Sequence, residues 1–231
     1  MRKSTRSELE QLVGDVHVHN INIRNREIYL HGAYSAYCDS DPGIEYQMAT
    51  TFIKNLHILD SQGDGSILVH MQSPGGEWYD GMAMFNAIRF SKSPVVILAY
   101  GQASSMSGIL LQAGDKRVLM PDCEFMIHHG SIEVSNNSIA AKSIIDSNER
   151  ACKRMLQIFA KRGKTGRFFK RKKYDEAAIA RFVNRRIHNK SDWYFTSEEA
   201  VEMGFGDGIF GCRGFENLEK IRVAEKYKYS L

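Results

Sequence analysis

"PVVILAYGQASSMSGILLQAG", residues 94–114, decides how this chain folds. Residues 94–100 are apolar at odd and even positions alike, a pattern that suits a strand covered on both faces. Residues 105–114 continue as an apolar helix, and the small Ser- and Gly-rich junction between them makes the turn. A strand buried on both sides needs helices above and below it, so the stretch predicts an α/β protein with a largely parallel sheet.

The flanking sequence repeats the alternation. "SILVHM" (66–71) reads as a second buried strand, followed by "QSPGG" and a helix over 79–92 with Met82, Phe85 and Ile88 on one face. Upstream, "REIYLHG" (26–32) reads as a strand closed by Gly32, and Ile44, Met48, Phe52 and Ile53 recur at helical spacing within 41–65. Residues 1–25 mix charge with weak alternation and read as a tail or short hairpin. Downstream come short strands at 117–120 and 125–128. A long helix over 138–163 follows, with Ile144, Ile145, Asn148, Cys152, Met155 and Phe159 on one face and Gly163 as its C-cap. A last helix over 196–204 opens with a Thr196–Glu199 capping box and ends at Gly204.

Composition is that of an ordinary globular protein, 43% apolar and 25% charged. The longest apolar run, 95–100, is far short of the roughly 20 residues of a membrane span, and "MRKSTRSELEQ" has no apolar core behind its charges. A soluble, cytoplasmic protein with no membrane contact is expected. Cys38, Cys123, Cys152 and Cys212 form no C-x-x-C pair, so neither a zinc site nor a disulfide framework is expected, and no metal or other cofactor. The net charge of +4 includes eight Lys and Arg with no acid in "KRGKTGRFFKRKK" (161–173), which leaves −4 for the rest. The basicity is therefore a local patch.

In parallel sheets, chemistry gathers where strands end and helices begin, because backbone N–H groups are free there. "SPGG" (73–76) and "GQASSMSG" (101–108) are two such places. Gly75 and Gly76 permit close backbone approach, and Ser105 stands at the first turn of a helix as a nucleophilic hydroxyl could. His128 closes a strand that would share the sheet edge with Ser105, and Asp192 precedes the capped helix. Read singly, each has an ordinary structural role: Ser105 a cap, His128 a core or surface histidine, Asp192 a loop carboxylate, "SPGG" a turn. The order Ser, His, Asp differs from that of three well-known serine hydrolase folds, and no G-x-S-x-G elbow surrounds Ser105. Residue chemistry alone leaves the triad open.

Together the segments resemble one family, the proteolytic subunits of ATP-dependent Clp proteases. The likeness runs from about residue 26 to 209. It rests on "SPGGEWYDGMAMFNAI", "YGQASSMSGILLQAGDKRVLMPDCEFMIHH", the long helix after them and "DWYFTSEEAVEMGFGD". The resemblance implies a crotonase-like fold, with stacked β-sheets flanked by helices and a helical handle region. Along the chain it implies an N-terminal tail or axial loop (1–25), a head domain (26–137 and 191–231) and a handle helix with a basic insertion (138–190). It places a nucleophile at Ser105, a base at His128 and an orienting carboxylate at Asp192. Ser104, Ser107 and His129 remain second choices. The oxyanion-hole N–H groups fall on Gly75 and Met106, and Gly76 lines a groove for an extended substrate.

The implied activity is serine endopeptidase chemistry through an acyl-enzyme, on peptides or unfolded proteins. The implied assembly is a homo-oligomer, a heptameric ring or double ring, with an AAA+ unfoldase as possible partner. Clp-like head-maturation proteases of phages, which work without an unfoldase, and a catalytically silent ring subunit are the alternatives. Four features depart from the family pattern: "HGSIEVSNN" (129–137) after the histidine, Ser191 where an arginine is common, Glu77–Trp78 after the double glycine, and the basic stretch 161–190. That stretch reads as a solvated insertion or an inter-subunit contact. Nucleic acid is not an expected partner, although Phe168 and Phe169 could stack on bases.

Overall fold

The computed structural model describes residues 5–30, 43–131 and 137–227. In chain order its first elements are α1 (Arg6–His19), β1 (Ile21–Asn22), β2 (Glu27–Leu30), α2 (Tyr46–Ser61), β3 (Ile67–Ser73) and α3 (Trp78–Phe90). Next come β4 (Val95–Ser104), α4 (Met106–Leu111), β5 (Lys116–Leu119), β6 (Glu124–Ile127), α5 (Ser138–Gly163) and α6 (Arg167–Lys172). The chain closes with α7 (Glu176–Lys190), β7 (Trp193–Phe195), α8 (Ser197–Glu202), β8 (Gly208–Ile209) and α9 (Leu218–Arg222). Gly32, Cys38 and most of the stretch after Gly130 lie outside the described residues.

Strand β4 organises the sheet. Its first half pairs in parallel with β3 on one edge and β5 on the other, and β5 carries β8. Its second half pairs with β6 through Gln102–Ser104. Between the two halves the register with β3 slips, from Met71↔Ala99 to Ser73↔Ala103. One ten-residue strand therefore feeds two branches of sheet. Both faces of β4 are covered as its unbroken apolar run requires: Val95, Ile97 and Ala99 join the main core, while Val96 and Leu98 join a smaller one with Leu68, Val118 and Ile221.

Two regions differ from the sequence reading. Residues 6–19 form a helix opened by a complete Thr5–Glu8 capping box, where a tail or hairpin is expected. Only a short hairpin, β1 against β2, follows it. The basic stretch is solvated on one face only: Lys170 to Lys173 are exposed, while α6 and α7 seal the core with Phe169, Ile179, Val183 and Ile187, each at most 1% exposed. Phe168 packs on the same cluster, so neither phenylalanine is free to stack on a base. Even Arg162 is buried, donating to the carbonyls of Gln112 and Gly114 beneath the ring of Tyr227.

At the start of β4 a network of charges ties the C-terminal segment down. Asp115 accepts from Val95 N–H at 2.7 Å, Tyr227 N–H at 2.8 Å and Lys226 Nζ at 3.1 Å. Beside it, Arg117 is held by both carboxylate oxygens of Asp207, by Gln112 Oε1 and by Gly204 O.

Candidate active site

Strand register assembles the site at the opposite end of β4. Ser104 lies beside Met126 of β6, which brings Ser105 next to the end of that strand. Ile127 of β6 lies opposite Trp193 of antiparallel β7, so the residues just outside this pair, His128 and Asp192, face each other. The side chains follow the backbones: His128 Nε2 is 2.6 Å from Ser105 Oγ, and His128 Nδ1 is 3.2 Å from Asp192 Oδ1. The three residues named from sequence form one hydroxyl–imidazole–carboxylate series.

Ser105 occupies a sharp strand-to-helix turn. Its backbone sits at φ 55°, ψ −123°, a conformation non-glycine residues avoid and which costs about 1–3 kcal/mol. Hydrogen bonds hold it there, since Ser105 N–H donates to Met126 O at 2.9 Å and Ser105 O accepts from Ile109 N–H at 3.2 Å. The result is the exposed-serine geometry of a nucleophile elbow, reached without the G-x-S-x-G sequence. Gly75 makes room for it: at φ +116°, its added Cβ would stand 2.6 Å from Ser105 Cβ. Asp192 is placed by a second strained residue. Ser191 (φ 62°, ψ −73°) centres a three-residue turn closed by Asp192 N–H to Lys190 O at 2.9 Å.

The two glycines play different parts. Ile44 N–H donates to Gly75 O and Glu77 N–H donates to Ile44 O. This parallel bridge turns the N–H and C=O of Gly76 to the opposite, open edge. Gly75 N–H points back to Ser73 Oγ at 3.3 Å, while Gly76 lines the cleft. Met106 N–H, in the first turn of α4, has no partner within its helix.

A cleft of about 580 Å³ opens in front of Ser105 and His128. One wall is Gly76 to Tyr79; the other is the middle of α5, with Ile144, Asn148, Cys152 and Met155 from the stripe read in the sequence. Tyr79 Oη and Ser147 Oγ meet across it at 3.3 Å. Burial pushes the Cys152 thiol pKa up, reinforced by Glu149, so it is a neutral apolar surface in this wall. The second-choice residues are otherwise engaged. Ser104 is buried, Ser107 Oγ donates to Ser73 Oγ at 2.7 Å, and His129 Nε2 contacts Asn184 Oδ1 at 2.9 Å. The Ser73–Ser107 pair under the glycine loop and the turn at Ser191 have no sequence signature that would mark them.

Branched sheet, strand-ending serine and flanking helices together define a crotonase-like fold carrying a serine–histidine–aspartate site. The chain belongs to the Clp protease family: the family model described as Clp protease matches residues 39–213. The chain is 38% identical over 173 residues to the ATP-dependent Clp protease proteolytic subunit of Deinococcus radiodurans, covering 72% of this chain and 76% of that protein. It is 33% identical over 136 residues to the protein of the same name from Carsonella ruddii, covering 56% of this chain and 65% of that one. Among the described residues, no helix is long and apolar enough to cross a membrane.

Proposed function

We propose that this peptidase-family chain is a serine endopeptidase that uses Ser105 as nucleophile, His128 as general base and Asp192 to hold the imidazole. The observation that carries the reading is the 2.6 Å contact between Ser105 Oγ and His128 Nε2 at a strained strand-to-helix turn. Ser105 attacks the peptide carbonyl as its proton passes to Nε2. The imidazolium then protonates the leaving amine, and water hydrolyses the acyl-enzyme by the same relay. Met106 N–H is one oxyanion donor. For the second, the open-edge orientation of Gly76 and the Ser73 partner of Gly75 favour Gly76 over the Gly75 expected from the resemblance. An extended substrate adds alongside Gly76 by main-chain hydrogen bonds.

The relatives are named as subunits of an ATP-dependent protease, which supports work in a homo-oligomeric ring fed by an AAA+ unfoldase. The test is fluorophosphonate labelling with peptide hydrolysis: stoichiometric labelling is expected, and both signals vanish in Ser105→Ala. Full labelling of that variant overturns the assignment. Degradation of a folded substrate that requires ATP and an unfoldase supports the ring reading. Peptide cleavage with no unfoldase response points instead to the stand-alone type.

A further inference from the structure

We infer that Glu77 makes the cleft selective for a substrate carrying a lysine or arginine close to the scissile bond; this rests on the catalytic reading above. Among the described residues that line the cleft, Glu77 is the only carboxylate and there is no lysine or arginine. It follows directly on Gly76, whose open backbone edge is where the substrate strand lies. Its backbone N–H is consumed by Ile44 O, but its carboxylate is not used by the fold. Although Glu77 is the N-cap residue of α3, its side chain makes no capping bond, and no ion pair engages it among the described residues.

An exposed N-cap glutamate that does not cap contributes little to its helix, so its placement needs another account. The cleft supplies one. Next to Glu77 stand the rings of Trp78 and Tyr79, the latter 75% exposed, which are surfaces that favour a cation. The other titratable side chains among the described lining residues are Tyr79, His128, His129 and Cys152. A cationic substrate side chain there meets the Glu77 carboxylate and no lysine or arginine among the described lining residues. A solvent-accessible pair of this kind is worth about fivefold in affinity and weakens with salt.

The test separates binding from catalysis. A single lysine or its uncharged isostere norleucine is walked through an otherwise apolar dye-labelled octapeptide, and binding to the full-length Ser105→Ala protein is read by fluorescence anisotropy. At one position at least, lysine is expected to bind about fivefold more tightly than norleucine at low salt, with the ratio falling to about one in Ser105→Ala/Glu77→Gln. With Glu77→Lys the preference passes to a glutamate peptide. Equal binding of lysine and norleucine at every position, or a preference that survives Glu77→Gln, overturns the inference. Hydrolysis by the parent protein is scored separately. Lysine-selective binding without any cleavage sinks the catalytic reading and leaves the role of Glu77 standing.

Discussion

The two ends of β4 carry opposite uses of charge. At its start, Asp115 is wholly buried and takes donors from Val95, Lys226 and Tyr227, while Arg117, 1% exposed, is satisfied by Asp207, Gln112 and Gly204. At its end the side chains of Asp192 and His128 are 45% and 27% exposed; among the described residues the Asp192 carboxylate contacts His128 alone, and His128 bridges it to the strained Ser105. Saturated partners at the first end fix structure, because removing any one strands another in low dielectric. The second end keeps carboxylate and hydroxyl lone pairs open toward the cleft, as the proposed chemistry requires. Charge that holds this fold is paired on several sides; charge at the candidate site is not.

If the contrast is sound, substitutions at the two ends separate activity from stability. The largest effect is expected from Asp192→Asn, which preserves shape but lets the imidazole take the wrong tautomer. Hydrolysis of a short peptide should fall by about 10³- to 10⁴-fold. The denaturant midpoint should hardly move, because the carboxylate is half in water and supports nothing else. A drop in stability comparable to the drop in activity would erase the distinction between the ends.

How far the sequence reveals each end follows from the same contrast. Strands and helices around β4 are legible because a two-faced apolar run has one reading, and Ser105, His128 and Asp192 become legible once four motifs are taken together. Helix α1 is not, although "TRSE" (5–8) has the same T-x-x-E form as the Thr196 box, because no buried residue gives it an apolar face to detect. In 161–190 the charges conceal Phe169, Ile179, Val183 and Ile187, whose spacing fits a helix packed on a core. The ionic end is hidden for another reason: Arg117 and Asp207 are far apart in sequence, and nothing local distinguishes them from surface charges. The outward turn of the Gly76 N–H, on which its proposed donor role rests, likewise depends on which edge Ile44 occupies, a tertiary fact.

Next in size is the loss of one partner at the buried end. Arg117→Met removes the guanidinium that links Asp207, Gln112 and Gly204, leaving Gln112 Oε1 and Gly204 O without that donor and Asp207 without its counter-charge, held there only by the backbone N–H of residue 117. Stability to urea should fall by about 3 kcal/mol, while fluorophosphonate labelling of the remaining folded protein stays complete. Arg162 offsets part of the cost: after burial, the nearby charge of Arg117 is the next cause that pushes its pKa down, and that repulsion goes with the substitution while Asp207 remains beside it. Loss of labelling without loss of stability would show that the two ends are coupled.

The smallest effect sharpens the comparison through pH. Burial works to raise the pKa of Asp207, but the charge and hydrogen bonds of Arg117, with Arg162 beyond, bring it net below the ordinary carboxylate value. A carboxyl whose folded pKa lies below its unfolded one binds fewer protons in the native state. Its contribution is therefore complete above the unfolded value of about 3.9 and drains away as the pH falls through the folded one. The stability gap between the parent protein and Asp207→Asn should accordingly be widest and flat from neutral pH down to about 5, then narrow with further acidification. Asp192, half exposed at the other end of the strand, has no such buried partners. A stability gap for Asp207→Asn that stays constant through the acid range would mean that Asp207 is not the group that titrates.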